Sequence, residues 1–480
     1  MAIQSQSQPK LGTYQIRPNG PLASSAESWR LSTIDHIVTQ HYSNWAVIFK
    51  LADEQKPAIL DVIKRGLEAT LGQARHLAGK IEINEHGDFS IVKRPDSSVR
   101  LDVRWLDGPE DKYPSFSEIE KGLFSAQSLG DPARLTIEGM TMACQGHPRD
   151  CPDAMGFQAN FIPGGLIFTV HRHHLVADVS GLASIIRTIA DNCAAVVNGT
   201  GPPAWDDAFM DRSRWTSPPV PIEDQVAPPP ARQRHPDWHP CSWLLFHIPE
   251  SKVTEIKRLA SPTDESWIST YDALVAVIWR VLMKNRAQIY KPDLSTPAIF
   301  MEAINMRSRI NPSVSERYQG NLLCGGLSFL HDDVPTLAEV ISEAPLSRLA
   351  TFIRKVTNSV TEESLTGMLN AATMIRDKST LHQRMDSAPP MSMSATDWRK
   401  ARICDYDFGF GRPVAARLVS DTVFDNMVMI YPPRRGEGIA ASSPGIEVVI
   451  PFETHAIDLF KDDPEVKEYF EFRGVETGRF

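Results

Sequence analysis

Apolar residues recur at helical spacing along four stretches of the chain. Residues 58 to 72 place Ile59, Leu60, Ile63, Leu67 and Leu71 on one face, and residues 181 to 197 do the same with Leu182, Ile185, Ile186, Ile189 and Cys193. A third helix opens at "STYDALVAVIWRVL". There Ser269 and Asp272 have capping-box spacing, with Asp in place of the usual Glu or Gln, and Leu274, Val277, Ile278, Val281 and Leu282 form the stripe. The fourth pattern, residues 337 to 360, is interrupted at Pro345. Strand patterns lie between the helices. "GGLIFTVH" is a β-rich run opened by two glycines, and "RLVSDTVFDNMVMIY" and "IEVVIPF" read as further strands. "PAIFMEAINMRSR" ends in an alternation that puts Asn305, Arg307 and Arg309 on one strand face. This mixture predicts an α/β chain of mixed α+β kind. It leaves the strand order open.

The pattern breaks once, over residues 201 to 240, "GPPAWDDAFMDRSRWTSPPVPIEDQVAPPPARQRHPDWHP". Proline fixes φ and removes a donor, so this stretch is neither helix nor central strand. It reads as an extended connection between two domains, residues 1–200 and 241–480, although a long loop within one domain has the same composition. The length of 480 residues agrees with two cores.

Composition narrows the function. The net charge is −9 and no basic stripe is interleaved with aromatics, which argues against nucleic-acid binding. No polybasic cluster offers a hold on an anionic membrane, and no run approaches the roughly 18 apolar residues of a spanning helix. The opening "MAIQSQSQPKLG" is polar, unlike a secretory signal, so the expected location is the cytoplasm. Six cysteines, Cys144, Cys151, Cys193, Cys241, Cys324 and Cys404, are scattered without a CxxC pair. They read as reduced thiols and not as a disulfide framework or zinc ribbon.

The candidate chemistry sits in "FTVHRHHLVADVSG", residues 168 to 181. On a strand His171 and His173 point one way and His174 the other. Two histidines on one face can bind zinc, but a third ligand is needed, and none stands at a recognisable spacing. Histidines at a strand end also serve as satisfied scaffold groups, which is the reading for His171 and His173. His174 stands where the strand gives way to the helix at Gly181, a place from which side chains reach a cleft. A neutral imidazole there is suited to general-base work, with Asp178 four residues on to orient it or to brace the turn through an arginine. No GxSxG or cysteine signature accompanies it. A base without an enzyme nucleophile points to a substrate that supplies its own hydroxyl or amine.

That context resembles the BAHD acyltransferases, whose signature is HHxxxDG. "DYDFGFGRP" supplies Asp407-Phe408-Gly409-Phe410-Gly411, which looks like the family's DFGWG with Phe410 where tryptophan is usual. "INMRSRINPSVSERYQGN" resembles its N-x-R-x-R stretch followed by Y-x-G-N, here Tyr318 to Asn321. "LSTIDH", "ARHLAGKI", "STYDALVAVIWR" and "SATDWRKARICDYDFGFG" are similar to further family segments in the same order, so the likeness covers most of the chain. The acidic chain and the HH…DxxG variant look closer to the fungal branch, which includes the trichothecene O-acetyltransferases, than to plant members.

The resemblance implies two chloramphenicol acetyltransferase-like domains with a tunnel between them, joined by the long connection, and a segment at about 408–435 that crosses back to the first domain. It implies a monomer with acetyl-CoA or another acyl-CoA as cosubstrate, no bound metal or permanent cofactor, and a small-molecule alcohol as acceptor. His174 is then the general base and Asp178 a structural support paired with Arg307, or failing that Arg309. Asp407, Phe408, Gly409, Phe410 and Gly411 form a structural motif. Ser269, Thr270 and Ser394 stand where the family contacts the pantetheine arm or phosphates, and Arg280, Lys284, Arg286, Lys400 and Arg412 are the cations available to phosphate. A condensation-type domain that forms amides from carrier-bound acyl groups shares the histidine motif and fold. One departure matters: Val179 follows the aspartate where the family has glycine. A β-branched residue resists positive φ, so the expectation is that Gly181 takes any special geometry.

Overall fold

The computed structural model describes residues 10 to 477, except 21–23, 85–86, 144–145, 219, 231, 265, 382–385 and 436–443. Most of the polar opening stretch and Cys144 therefore lie outside the described residues. Cys151, Cys193, Cys241, Cys324 and Cys404 are free thiols.

Two mixed sheets organise the chain. The first has six strands in the order β1 (Leu11–Ile16), β6 (Val99–Trp105), β7 (Met155–Ile162), β8 (Gly165–His173), β3 (Tyr42–Lys50) and β13 (Ala415–Val419). The second has seven, in the order β11 (Leu323–Leu327), β10 (Ile299–Asn305), β12 (Ser392–Asp397), β14 (Met427–Ile430), β15 (Gly445–Glu453), β9 (Cys241–Pro249) and β16 (Glu471–Val475). A small sheet of β2 (Glu27–Arg30), β5 (Phe89–Lys93) and β4 (Lys80–Ile83) lies beside the first. β6 and β7 pair in parallel, as do β10, β12 and β14. The other pairings within these sheets are antiparallel. The sheets are thus mixed, as the sequence pattern predicts.

Helices cover each sheet. Lys56–Gln73 and Val179–Asn198 pack together in the core of the first, and the predicted apolar residues Ile59, Ile63, Leu67, Leu71, Leu182, Ile185, Ile186, Ile189 and Cys193 are all buried. Thr270–Tyr290 is the central helix of the second core. Its capping box forms: Ser269 Oγ accepts from the Asp272 N–H, and the Asp272 carboxylate accepts from the Ser269 N–H. This helix is more than a one-sided stripe, because every residue from Ala273 to Met283 except Arg280 is buried. Pro345 divides the fourth pattern as expected. A π-helical turn at Glu339–Glu343 precedes it and the α-helix Leu346–Ser359 follows it.

Two local expectations change. "RLVSDTVFDNMVMIY" is not one strand region but two strands in different sheets. β13 pairs with β3 in register Ala415↔Ile48 to Val419↔Asn44, and β14 pairs with β12. The chain thus leaves the second sheet after β12, places one strand in the first, and returns. The alternation through Arg309 also ends early, since β10 stops at Asn305 and Arg307 and Arg309 lie in the turns beyond it. The reason is a competing local bond: Asn305 Oδ1 accepts from the Arg307 N–H at 3.0 Å, turning the backbone away from the ladder.

Among its described residues the proline-rich stretch 201–240 forms short 3₁₀ turns and a single bridge between Val226 and Ile375, and it does not run free. Arg212 and Trp215 are buried, and the Trp215 carbonyl accepts from the Thr33 N–H at 2.9 Å.

Candidate active site

β8 delivers the histidine cluster. His171 and His173 face the protein interior and are engaged by backbone: His171 Nε2 accepts from the Ile137 N–H at 3.0 Å, and His173 Nδ1 accepts from the Leu175 N–H at 3.2 Å. His173 Nε2 must then carry the proton, which it donates to the Gly146 carbonyl at 2.7 Å. Burial is the first cause that pulls both imidazoles down, to about 3, so both are neutral. The strand ends at His173, and the His174 N–H donates to the His41 carbonyl at 2.9 Å.

His174 is half-buried and lines a cavity of about 370 Å³. The walls come from both sheets: Ser43 and Trp45 of β3, Arg172 of β8, Met301 and Asn305 of β10, Ser394 and Thr396 of β12, and Leu418 of the crossing strand β13. The His174 Nδ1 is buried without a hydrogen-bond partner among the other described residues. Its ring meets the His41 ring edge-on at 5.6 Å. Burial, and then the cation of Arg172, hold the His174 imidazole well below the ordinary histidine value. His41 is displaced the same way, first by burial and then by the proximity of His174 and Arg172.

Asp178 ends the turn after His174 and is the N-cap of the helix Val179–Asn198, its Oδ1 accepting from the Gly181 N–H at 2.7 Å. The same carboxylate receives both Nη atoms of Arg307, at 2.9 and 3.0 Å, and the Leu322 N–H at 2.8 Å. Burial pushes this carboxyl up, but the arginine charge and hydrogen bonds more than offset it and keep it ionised below the usual range. Arg309 is used elsewhere, donating to the Thr357 and Val360 carbonyls.

The DVSG turn is built without strain. Asp178 is extended, Val179 is the first helical residue, and neither Val179 nor Gly181 has positive φ. The expectation for Gly181 is thus corrected: it is required by close approach and not by φ. A Cβ there would lie 2.9 Å from the Gly320 carbonyl oxygen and 3.0 Å from that of Gln319. The Y-x-G-N segment rests directly on the helix at this point.

A second knot lies beneath His174, one to which the sequence reading assigned no role. Asp35, from "LSTIDH", is wholly buried; its carboxylate accepts from the Ser32 N–H (2.7 Å), Arg212 Nε (3.1 Å) and Asn321 Nδ2 (2.7 Å). Asn321 Nδ2 also donates to the His174 carbonyl at 3.0 Å and, less closely, to that of Leu175, while Arg212 Nη2 donates to the Val176 carbonyl at 2.6 Å. Three consecutive carbonyls that have left the sheet are thereby satisfied. Asp35 and Asn321 fall inside quoted motifs, so a signal existed. Arg212 stands in the proline-rich connection, where nothing local marks it.

The other predicted residues divide. Ser394 lines the cavity, its Oγ receiving Asn426 Nδ2 at 3.0 Å, and Lys400 stands exposed at the same cavity. Ser269, Thr270 and Arg280 do not line it: the first two open the central helix, and Arg280 donates to the Val340 and Ala344 carbonyls. Lys284 pairs with Asp463 and Glu465, Arg286 with Glu453, and Arg412 lies beside Asp407. None of Asp407 to Gly411 reaches the cavity. Phe408 and Phe410 pack on Phe49, at 5.0 and 5.3 Å between ring centres, and Gly409 has φ +82° with Ala194 Cα 2.8 Å from where a Cβ would be. The segment is a tight turn wedged against the helix Val179–Asn198, just before the chain crosses into the first sheet. Among the described residues no cluster of three His, Cys, Asp or Glu is placed to hold a metal ion. No helix there is long and apolar enough to cross a membrane.

Comparison with known proteins places this arrangement. A model of the Transferase family matches residues 156–467, and a model of the trichothecene 3-O-acetyltransferase-like N-terminal domain matches residues 41–193. The chain is 42% identical to Acetyltransferase FGR3 of Gibberella zeae over 98% of its own length and 95% of that protein's. It is 26% identical to trichothecene 3-O-acetyltransferase TRI101 of Fusarium sporotrichioides, over 90% and 94%. The crystal structure of that enzyme complexed with coenzyme A and T-2 superposes with a TM-score of 0.75 at 25% identity, covering 93% of this chain and 100% of the other. Vinorine synthase shares the fold, with a TM-score of 0.63 at 18% identity over 93% and 95%. The chain therefore belongs to the Transferase family of BAHD-type, acyl-CoA-dependent acyltransferases, on its fungal, trichothecene acetyltransferase-like side.

Proposed function

We propose that the protein moves an acetyl group from acetyl-CoA to a hydroxyl of an apolar secondary metabolite, a terpenoid, alkaloid or polyketide, with His174 as general base. The observation that carries this reading is a neutral, half-buried imidazole on a rigid strand end, opening on a cavity walled by both sheets. Nε2 takes the proton of the acceptor hydroxyl, whose oxygen attacks the thioester carbonyl. The tetrahedral intermediate collapses, the C–S bond breaks, and the thiolate of CoA leaves with the proton returned by the same imidazole. Both substrates are held together in one ternary complex, which supplies proximity in addition to proton transfer. Among the described residues no cysteine lines the cavity, and the nucleophile is assigned to the substrate.

The lining supports this acceptor class. Met142, Met301, Met427, Met429 and Phe424 give an apolar and adaptable wall, which suits a bulky hydrocarbon skeleton. Ser394 and Lys400 are the groups assigned to the coenzyme. Asp178, with Arg307, is assigned a bracing role between the two domains, taken as 1–200 and 241–480 with the connection 201–240.

The test is a mass-spectrometric screen of terpenoid, alkaloid and polyketide alcohols with acetyl-CoA, reading the acetyl increment. His174→Ala, shown by circular dichroism to be folded, is expected to lose about a hundred- to ten-thousand-fold in rate. Undiminished transfer by that variant sinks the assignment of the base.

A further inference from the structure

Of the charges that line the cavity, one is a buried cation with no counter-charge among the described residues. Asp178 is matched by Arg307 and Asp397 by Arg399. Glu302 receives the Thr357 hydroxyl at 2.6 Å, and burial holds its carboxyl up toward the neutral form. Lys400 is exposed to solvent. Arg172 is different. It is 3% exposed, its Nε and Nη1 are buried without a hydrogen-bond partner, and it makes no ion pair among the described residues. Asp178 is the one carboxylate whose field reaches it, and that carboxylate is already filled by Arg307 and two backbone N–H groups.

A guanidinium cannot shed its proton, so burial without a partner is costly. Its place makes sense of the cost. Arg172 stands two residues before His174 and directly across from Ser43, which also lines the cavity. Side chains at paired positions project to the same sheet face, here the cavity side.

We infer that Arg172 makes this cavity an oxyanion-binding site, its guanidinium receiving an oxygen anion of the reacting substrates beside His174. Two sources share this chemistry. One is the oxygen of the thioester carbonyl, which becomes negative in the tetrahedral intermediate and would meet a donor already in place. The other is a carboxylate carried by the acceptor. The site itself stands on the unpaired guanidinium, whereas naming the thioester oxygen as its ligand rests on the acyl-transfer reading.

The experiment uses the full chain, with Arg172→Met and Arg172→Lys checked by thermal unfolding. Calorimetric titration with benzoate and with benzyl alcohol reads the site without any turnover. The wild type is expected to prefer benzoate by about tenfold or more, as a charge-assisted fork contact allows. That preference should vanish in Arg172→Met and shrink in Arg172→Lys. Equal affinity in the wild type, or a preference that survives in Arg172→Met, overturns the inference. If Arg172→Met does not fold, an undiminished preference in Arg172→Lys overturns it equally.

The sources separate by kinetics with acetyl-CoA. A fall in kcat of about a hundred- to a thousandfold for benzyl alcohol, with KM little changed, assigns the thioester oxygen. A KM rise confined to para-hydroxymethylbenzoate assigns a substrate carboxylate. If the wild type acetylates neither alcohol, the acyl-transfer reading fails for these acceptors, and the benzoate preference still decides the anion site.

Discussion

Two buried aspartates hold the ground around His174, and they do it by different means. Asp178 acts directly. Its carboxylate caps a helix of the first core and grips Arg307 with both oxygens. Asp35 acts through intermediaries. It orients Asn321 and Arg212, and these in turn hold the carbonyls of His174, Leu175 and Val176. The family motif contains Asp178, yet the backbone of His174 itself is held by the knot around Asp35. The motif aspartate joins the helix cap to Arg307, and the other holds the backbone of His174, the proposed base.

Several measurements can break that distinction. The largest loss is expected on removing one side of the Asp178–Arg307 pair. Arg307→Ala leaves a buried carboxylate uncompensated and should lower stability to urea by about 3–5 kcal/mol. A loss below about 1 kcal/mol would show that the pair is not a brace. Next comes Asn321→Ala, which leaves the His174 carbonyl without its donor. It should lower stability by about 1–3 kcal/mol and reduce kcat more than that loss of folded protein explains. If kcat per folded molecule is unchanged, the knot does not position the base. A double-mutant cycle between Asp178→Asn and Asp35→Asn then asks whether the braces are independent. Additivity within about 0.5 kcal/mol says so, and a larger coupling says that they are one network.

The pH dependence gives smaller effects. His171 and His173 are neutral when folded, with values near 3 against 6.5 for an ordinary histidine. The unfolded chain therefore binds more protons below about pH 6.5, and stability should fall as pH drops from there, by up to about 1.4 kcal/mol per unit for each group. His173→Asn should flatten the slope measured by denaturation between pH 6.5 and 4.5, and an unaltered slope would locate the proton uptake elsewhere. His174 is displaced downward as well, so the acid limb of kcat/KM should lie below the ordinary histidine value. A limb at or above 6.5 would contradict that environment. Val179→Gly, which restores the family pattern, should cost only about 0.5–1 kcal/mol, because a glycine in a helical turn adds freedom to the unfolded chain.

Much of this was legible before the structure. Period located the helices at Lys56–Gln73 and Val179–Asn198, because their burial follows local spacing, and the capping box located the start of Thr270–Tyr290, which is buried nearly all round. The pairing of strands was not legible. Nothing in "RLVSDTVFDNMVMIY" says that its two parts belong to different sheets, since both strands are largely buried and mostly apolar. At the site, His174 and Asp178 could be singled out by motif, but Arg172 stood in plain view within the same stretch. Strand alternation puts it on the same face as Ser43, and only the missing counter-charge, a fact of three dimensions, makes it conspicuous. Arg212 was hidden for the opposite reason. A proline-rich connection advertises flexibility, and its one buried arginine carries no local pattern.

The crossing strand has a consequence for how the molecule is made. β13 is the outer partner of β3 in the first sheet, yet it is drawn from residues 415 to 419. As the polypeptide emerges from the ribosome, the first five strands of that sheet are complete by His173, and β3 waits with an open edge for its neighbour. At ordinary elongation rates the wait is on the order of tens of seconds. For that time the nascent chain carries an unpaired strand edge, the kind that recruits other chains. Separate expression of the two halves should therefore yield an aggregation-prone first piece, and the molecule is committed to finishing its beginning last.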